Sequence, residues 1–379
     1  MPASAMILRL RFLLFLIACP AFMLVSPASA QNGDAIVIGQ VIDLSSPNAA
    51  LGRDYVAGIK TYFDMLNAAG GINGRKIRYI ARDDQASPQS AARAASELID
   101  NERVDYLLGG IGENVTRAIL DAPTFRRSRL QLYAPLIGNT SANAGDRLVR
   151  WRPDYLQEVR HMLSHFAPLG ITHVGIACPE DAASKQMLAA LTAELGQGKL
   201  QLSGIVRIGH NDRQMAADAA KLANSAPGVV LVIGDTIQTA QFLQAFRPYA
   251  PKVYVAGSSL TNLDTLRELA GSKAVEWTVF SQVVPNPENG KTALQREHLA
   301  MMKKYRDEPP STLTLEGFAV AKTLALAIRR GKPGMPAQEI VFNAPIDIGG
   351  LSLRGNPTGD KPLSDYLDLA LFRRNGLVF

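Results

Sequence analysis

Apolar and polar positions alternate along this chain in the rhythm of strand, helix, strand. Residues 36–42, Ile-Val-Ile-Gly-Gln-Val-Ile, form an almost unbroken β-branched apolar run, the pattern of a strand covered on both faces of a parallel sheet. A polar turn follows, and then Tyr55, Ile59, Tyr62, Phe63 and Leu66 recur at helical spacing with Arg53, Lys60 and Asp64 between them, which predicts a helix over 51–69. Gly70-Gly71 stops it and Asn73-Gly74 turns the chain into a second strand at 76–81, ending in Arg82-Asp83-Asp84. The same grammar predicts a helix over 88–101, strands at 104–108 and 130–134, and a helix over 156–169. Beyond these, strands at 173–177, 202–208, 229–233, 252–256 and 277–284 are separated by helices over 182–195, 213–225 and 237–246. Helices over 294–305 and 315–330 come next, and an alternating stretch from Tyr366 to Phe372 closes the chain. Strands separated by helices of ordinary length predict parallel α/β architecture throughout.

A length of 379 residues exceeds what a single hydrophobic core usually organises, so two lobes are expected. Hydrophobic content of 47% and charged content of 20% are those of an ordinary globular protein, with no repetitive block. The first thirty residues read as an export signal: Arg9 and Arg11 precede an apolar core from Phe12 to Val25, and Ala28-Ser29-Ala30 offers the small residues an export peptidase cuts after. Cleavage after Ala30 is the expectation. Leu16-Ile17-Ala18-Cys19 resembles a bacterial lipobox and supplies a second-ranked, lipid-anchored alternative. Removing Arg9 and Arg11 from the 40 basic side chains leaves 38 against 34 acidic ones, and no basic run interleaved with aromatics occurs, so nucleic acid is not an expected partner. In the mature chain Cys178 stands alone and reads as a small buried hydrophobe.

Catalytic and cofactor patterns fail one by one. Gly110-Ile111-Gly112 follows a strand, but Val115 occupies the third glycine position of a dinucleotide fingerprint, where close helix packing leaves no room for a side chain. Glu158, His161 and His165 share helical spacing that could gather a metal, yet Val159, Met162, Leu163 and Phe166 explain the same helix as an amphipathic one. No nucleophile elbow, H-E-x-x-H or phosphate loop is present, and the expectation is a protein with no catalytic residues, no cofactor and no metal.

Several stretches carry a family resemblance: Gly39-Gln-Val-Ile-Asp-Leu-Ser-Ser-Pro, Leu51-Gly-Arg-Asp-Tyr, and above all Asn67-Ala-Ala-Gly-Gly-Ile-Asn-Gly-Arg-Lys-Ile. Ser281-Gln-Val-Val-Pro-Asn-Pro, Leu315-Glu-Gly-Phe-Ala-Val-Ala-Lys and Asp347-Ile-Gly-Gly-Leu continue it, so that it covers essentially everything after residue 34. Together they resemble the leucine/isoleucine/valine-binding family of ABC-transporter periplasmic solute-binding proteins, the type I periplasmic binding proteins. The resemblance implies a two-lobed α/β clamshell, each lobe a parallel sheet flanked by helices, with three crossings between lobes. The boundaries expected are 34–150 with 277–345 for the first lobe and 151–276 with 346–379 for the second.

In such a protein a small polar organic solute, amino-acid-like or related, binds between the lobes and passes to a membrane permease; the monomer is the expected state and the periplasm the expected location. Loops beyond the carboxyl ends of parallel strands line the ligand crevice. They nominate Ser45, Glu113, Asn114, Asn139, Thr140 and Ser141 from the first lobe and Tyr155, Asp181, Asp235 and Ser258 from the second. Asn139, Thr140, Asp181 and Asp235 are equally read as helix caps. Amino-acid-binding relatives place a small hydroxyl residue where Glu113 stands, an acid near Ser258-Ser259, and aromatics near Ala183 and Asp235; this chain departs from each. The departures point toward a cationic or hydroxyl-rich solute. Two other readings compete: a ligand-sensing subunit of the same fold serving a signalling receptor, and a secreted nucleotide-dependent enzyme.

Overall fold

A computed structural model describes residues 35–138, 147–197, 200–209, 212–331, 344–355, 361–373 and 376–379. The first lobe is built from β1 (Ile36–Ile42), α1 (Ala50–Ala68), β2 (Ile77–Asp83), α2 (Pro88–Asp100), β3 (Tyr106–Leu108), α3 (Glu113–Asp121), α4 (Pro123–Arg127), β4 (Leu132–Tyr133) and β5 (Leu148–Val149). Its five strands lie in the order β2-β1-β3-β4-β5, and every pairing is parallel.

The second lobe follows with α5 (Tyr155–Phe166), β6 (His173–Cys178), α6 (Ala182–Gln197), β7 (Gln201–Arg207), α7 (Asp212–Asn224), β8 (Val229–Val232), α8 (Thr236–Phe246), β9 (Tyr254–Gly257), α9 (Leu263–Ala270) and β10 (Thr278–Gln282). The chain then supplies α10 (Ala293–Tyr305), α11 (Thr312–Arg330), a small antiparallel pair β11 (Ile346–Asp347) and β12 (Ser352–Leu353), and finally β13 (Asp368–Arg373) and β14 (Gly376–Val378). The seven-stranded sheet runs β14-β13-β10-β9-β8-β6-β7. Its strands β6 to β10 are parallel, while β13 and β14 close one edge in antiparallel pairing.

Two expected boundaries move. Strand β10, assigned from sequence to the first lobe, is hydrogen-bonded between β9 and β13 and belongs to the second sheet. Residues around β11 and β12, assigned to the second lobe, bury Ile346, Ile348, Leu351, Leu353 and Leu363 in the first lobe's core. The reason is local: Gly349 and Gly350 turn this hairpin against the start of α10, where Leu294 N donates to Gly349 O at 2.9 Å. Three crossings remain, near residues 150–154, 283–292 and 363–367.

Each sheet has a core on both faces. In the first lobe, α1 and α11 cover one face through Tyr55, Ile59, Phe63, Leu315 and Phe318, while α2, α3 and α4 cover the other through Ala95, Leu98, Ile119 and Phe125. Gly58 and Gly317 permit α1 and α11 to touch backbone to backbone. A β-carbon on Gly58 would sit 1.9 Å from Thr314 O, and one on Gly317 would sit 2.1 Å from Tyr55 O. In the second lobe, α7 and α8 pack on one face and α5 and α6 on the other, with Cys178 buried in the latter layer. Helices α5 and α8 start with reciprocal capping boxes, Asp154 with Gln157 and Asp235 with Gln238, each worth about 1 kcal/mol.

Candidate functional site

A cavity of about 330 Å³ lies between the lobes, walled by the ends of parallel strands and the helix starts that follow them. From the first lobe, Asp43, Ser46 and Asn48 in the loop after β1 reach it, with Ile111, Gly112 and Glu113 after β3. The second lobe contributes Tyr155, Ser184, Met187, Gly234, Asp235 and Ser258. Gly112, with φ of +90°, turns the chain from β3 into α3 and presents Glu113 as that helix's first residue. Gly110 in the same loop has a packing role: a β-carbon there would lie 2.6 Å from Val41 O, so close approach of the strand ends requires the glycine.

The hydrogen bonds around the wall are largely internal. Glu113 Oε1 accepts from Gly138 N at 3.0 Å. Asp43 accepts from the backbone N–H groups of Ser45 and Ser46 and from the Ser46 hydroxyl. Asp235 Oδ1 accepts from Gln238 N at 2.8 Å, and its Oδ2 accepts from Asn48 Nδ2 at 2.9 Å, bridging the lobes. A second bridge runs from Asn262 Nδ2 to Asp54 Oδ2 at 3.1 Å. Tyr155 donates its hydroxyl to Val232 O at 3.0 Å, and Ser184 donates its own to Asp181.

Of the residues nominated from sequence, Glu113, Tyr155, Asp235 and Ser258 face this cavity. Ser45 does not; it is exposed and gives its hydroxyl to Asp83. Asp181 caps α6, holding Ser184 N at 2.9 Å, and Ser184 stands at the wall in its place. Asn114 is exposed on α3, outside the wall. Asn139, Thr140 and Ser141 lie outside the described residues. Asp43, Asn48 and Ser184 escaped the sequence reading. Asp43 ends an apolar strand and could have been found by the strand-end rule, whereas nothing local marks Asn48.

Behind Asp43 the carboxylates of Asp83 and Asp84 approach within 4.8 Å of it and of each other. Burial, then the charges of Asp43 and Asp83, raise the Asp84 carboxyl to about 6, while its Oδ1 accepts from Ala86 N. The backbone and serine donors around Asp43 and Asp83 tie this group into the turn itself. The Glu158, His161, His165 spacing gathers no ligand set: Glu158 is buried and its carboxylate accepts from Ser259 N at 2.9 Å and from the hydroxyls of Ser259 and Ser281. His161 and His165 lie on the outer side, their rings 4.6 Å apart.

Glu158 belongs instead to a buried ionic group at the crossings. Arg152 lies 3.3 Å from Glu158 of α5 and 3.4 Å from Glu316 of α11, so one guanidinium ties the two lobes where the chain passes between them. Burial raises the Glu316 carboxyl to about 6, offset in part by Arg152.

Two α/β lobes joined by three crossings, with a cavity at facing strand ends, define a clamshell solute-binding protein. Residues 35–342 match the periplasmic binding protein family, and the chain belongs to it, in the leucine/isoleucine/valine-binding group of type I fold. It is similar to Leu/Ile/Val-binding protein homolog 1 of Brucella melitensis, 24% identical over 315 residues covering 80% of each chain. Local matches are stronger but short: an amino acid binding protein of Pseudomonas aeruginosa is 35% identical over 74 residues, 20% of each chain. The chemotactic substrate-binding protein BasB of Halobacterium salinarum is 28% identical over 122 residues, 31% of this chain and 30% of that one. Among solved structures, a substrate-binding periplasmic protein from Ralstonia solanacearum superposes with a TM-score of 0.82 at 26% identity, covering 90% of this chain and 99% of the other. Members of this family are ligand carriers, not enzymes, and the chain is one of them.

Proposed function

We propose that the protein is exported, captures a small polar organic solute between its lobes and delivers it chemically unaltered to an ABC-transporter permease. The single observation that carries this reading is the cavity walled by both lobes, because a ligand that touches both faces stabilises the closed arrangement over the open one. Glu113, Tyr155, Asp235 and Ser258 are the contacts assigned to the solute, joined by Asp43, Asn48 and Ser184. Removal of the leader after Ala30 gives the mature protein, a monomer in the periplasm. Among the described residues no helix is long and apolar enough to cross a membrane.

Capture is tested by dialysing ligand-stripped protein against a metabolite extract and identifying by mass spectrometry what is retained. One solute retained at about one per chain and recovered unchanged is expected; turnover of it would contradict carriage. Delivery is tested by uptake of that solute into cells with and without the gene. A sensing role is the second reading, favoured by the similarity to BasB, whose name places it in chemotactic signal transduction. Loss of chemotaxis with undiminished uptake would select it.

A further inference from the structure

Among the described residues the walls of the cavity are rich in carboxylates. Asp43, Glu113 and Asp235 supply three carboxylates from two lobes, and among the described residues no lysine, arginine or histidine side chain lines the space. Helix starts and strand-end turns are where a bound anion ordinarily finds free N–H groups. Here the protein's own carboxylates take several of them, Asp235 holding Gln238 N at the start of α8, Asp181 holding Ser184 N in α6 and Glu113 holding Gly138 N, while the start of α3 at Gly112 has no side-chain cap. Three of the wall's hydroxyls donate internally as well, Ser46 to Asp43, Ser184 to Asp181 and Tyr155 to Val232 O, while those of Thr236 and Ser258 accept from Asn262 N and Leu260 N. A carboxylate has about four lone-pair sites, so Asp235 and Asp43 keep acceptor capacity beyond their internal bonds.

We infer that the solute of this cavity is an organic cation without a carboxylate, an amine or amidine whose N–H groups donate to Glu113, Asp235 and Asp43. Its apolar body packs on Leu51, Ile111 and Met187. The inference rests on the solute-binding reading and narrows it. An anionic group at ~4 Å from one of these carboxylates loses about a thousandfold in affinity at an effective dielectric of about 20. A zwitterionic amino acid suffers this at one end whatever its amine gains at the other.

Matched trios test the sign of charge at constant shape. Ligand-stripped mature protein is titrated calorimetrically with leucinol, leucine and 4-methylpentanoate, with the corresponding phenylalanine and arginine series, and with agmatine; scattering curves are recorded for each. The expected order within a trio is amino alcohol, then amino acid, then acid, with at least one amino alcohol or agmatine closing the lobes. Glu113→Gln and Asp235→Asn, the latter retaining a capping side chain, each weaken the cation tenfold or more and flatten the salt dependence of its affinity. Tighter binding of any carboxylate-bearing member than of its amino alcohol overturns the inference while leaving solute capture standing. So does a panel in which no cation binds but metabolite extract still closes the lobes. If neither panel nor extract produces closure, solute capture itself fails.

Discussion

Asn48 in the first lobe donates its side-chain amide to Asp235 in the second at 2.9 Å, and Asp235 simultaneously caps α8 through Gln238 N. One carboxylate thus closes the cleft and starts a helix. Replacing Asn48 with alanine removes the bridge and spares the cap. Its expected cost to global stability is only about 0.5–1.5 kcal/mol, with solute affinity down up to about tenfold. Asp235→Ala loses the cap too and costs about 1 kcal/mol more. Paired thermal melts and titrations check both; an Asn48→Ala protein with unchanged affinity would show that the bridge contributes nothing to closure.

Gly58 and Gly317 fix the distance between α1 and α11, each leaving no space for a β-carbon against the other helix's backbone. Gly58→Ala in an isolated helix would be favourable by up to about 1 kcal/mol. In this packing the clash dominates, because backbone carbonyls cannot move aside as a side-chain tip can. Either alanine variant is expected to lose about 1–3 kcal/mol in denaturant melts, and a neutral result would mean that the helices separate freely.

Arg152 holds two buried glutamates, one from each side of the crossings. Arg152→Met leaves Glu158 and Glu316 without their cation and is expected to destabilise by about 3–5 kcal/mol. Restoring charge balance with Glu316→Gln in the same chain should recover much of the loss. If the double variant is no more stable than the single one, the glutamates are not coupled through Arg152.

Two buried groups give opposing pH dependence. The Glu316 carboxyl is raised to about 6 from its ordinary 4.5, so the folded protein binds its proton more tightly; stability falls as pH rises between those values, by ~2 kcal/mol in all. Burial lowers His298 to about 4 from 6.5, so its contribution is full above 6.5 and is lost as pH falls toward 4. His298 Nε2 lies 2.9 Å from Thr314 Oγ1, a contact that glutamine can imitate. Melts from pH 4 to 8 should therefore show Glu316→Gln gaining relative stability above pH 6 and His298→Gln losing the acid-side decline. Parallel profiles for wild type and both variants would refute the assignment.

Most of the fold was legible because both sheets are buried on two faces, which turns strands such as 36–42 and 229–233 into continuous apolar runs and leaves helices as the amphipathic spacers. Elements of two to five residues, such as β5 and α4, carry too few positions to show a period. The lobe assignment of β10 was illegible for another reason: an apolar strand looks alike in either sheet, and only its partners β9 and β13 decide. At the site, strand-end positions nominated Glu113 and Asp235, and both stand at the cavity wall. Ser45 and Asp181, nominated by the same rule, stand off the wall: a short polar side chain in a strand-end turn satisfies a local N–H or a neighbouring acid as readily as a ligand, and sequence alone does not separate the two.

The central claim is that the lobes close on a solute held between them. Spin labels at Lys60→Cys on α1 and Gln241→Cys on α8, both exposed, report the separation across the cleft, while the native Cys178 is buried. Pulsed dipolar distance measurement on ligand-stripped protein should give a broad distribution that collapses to its shorter component when the retained solute is added. A distribution that does not change on saturation with that solute would contradict the account.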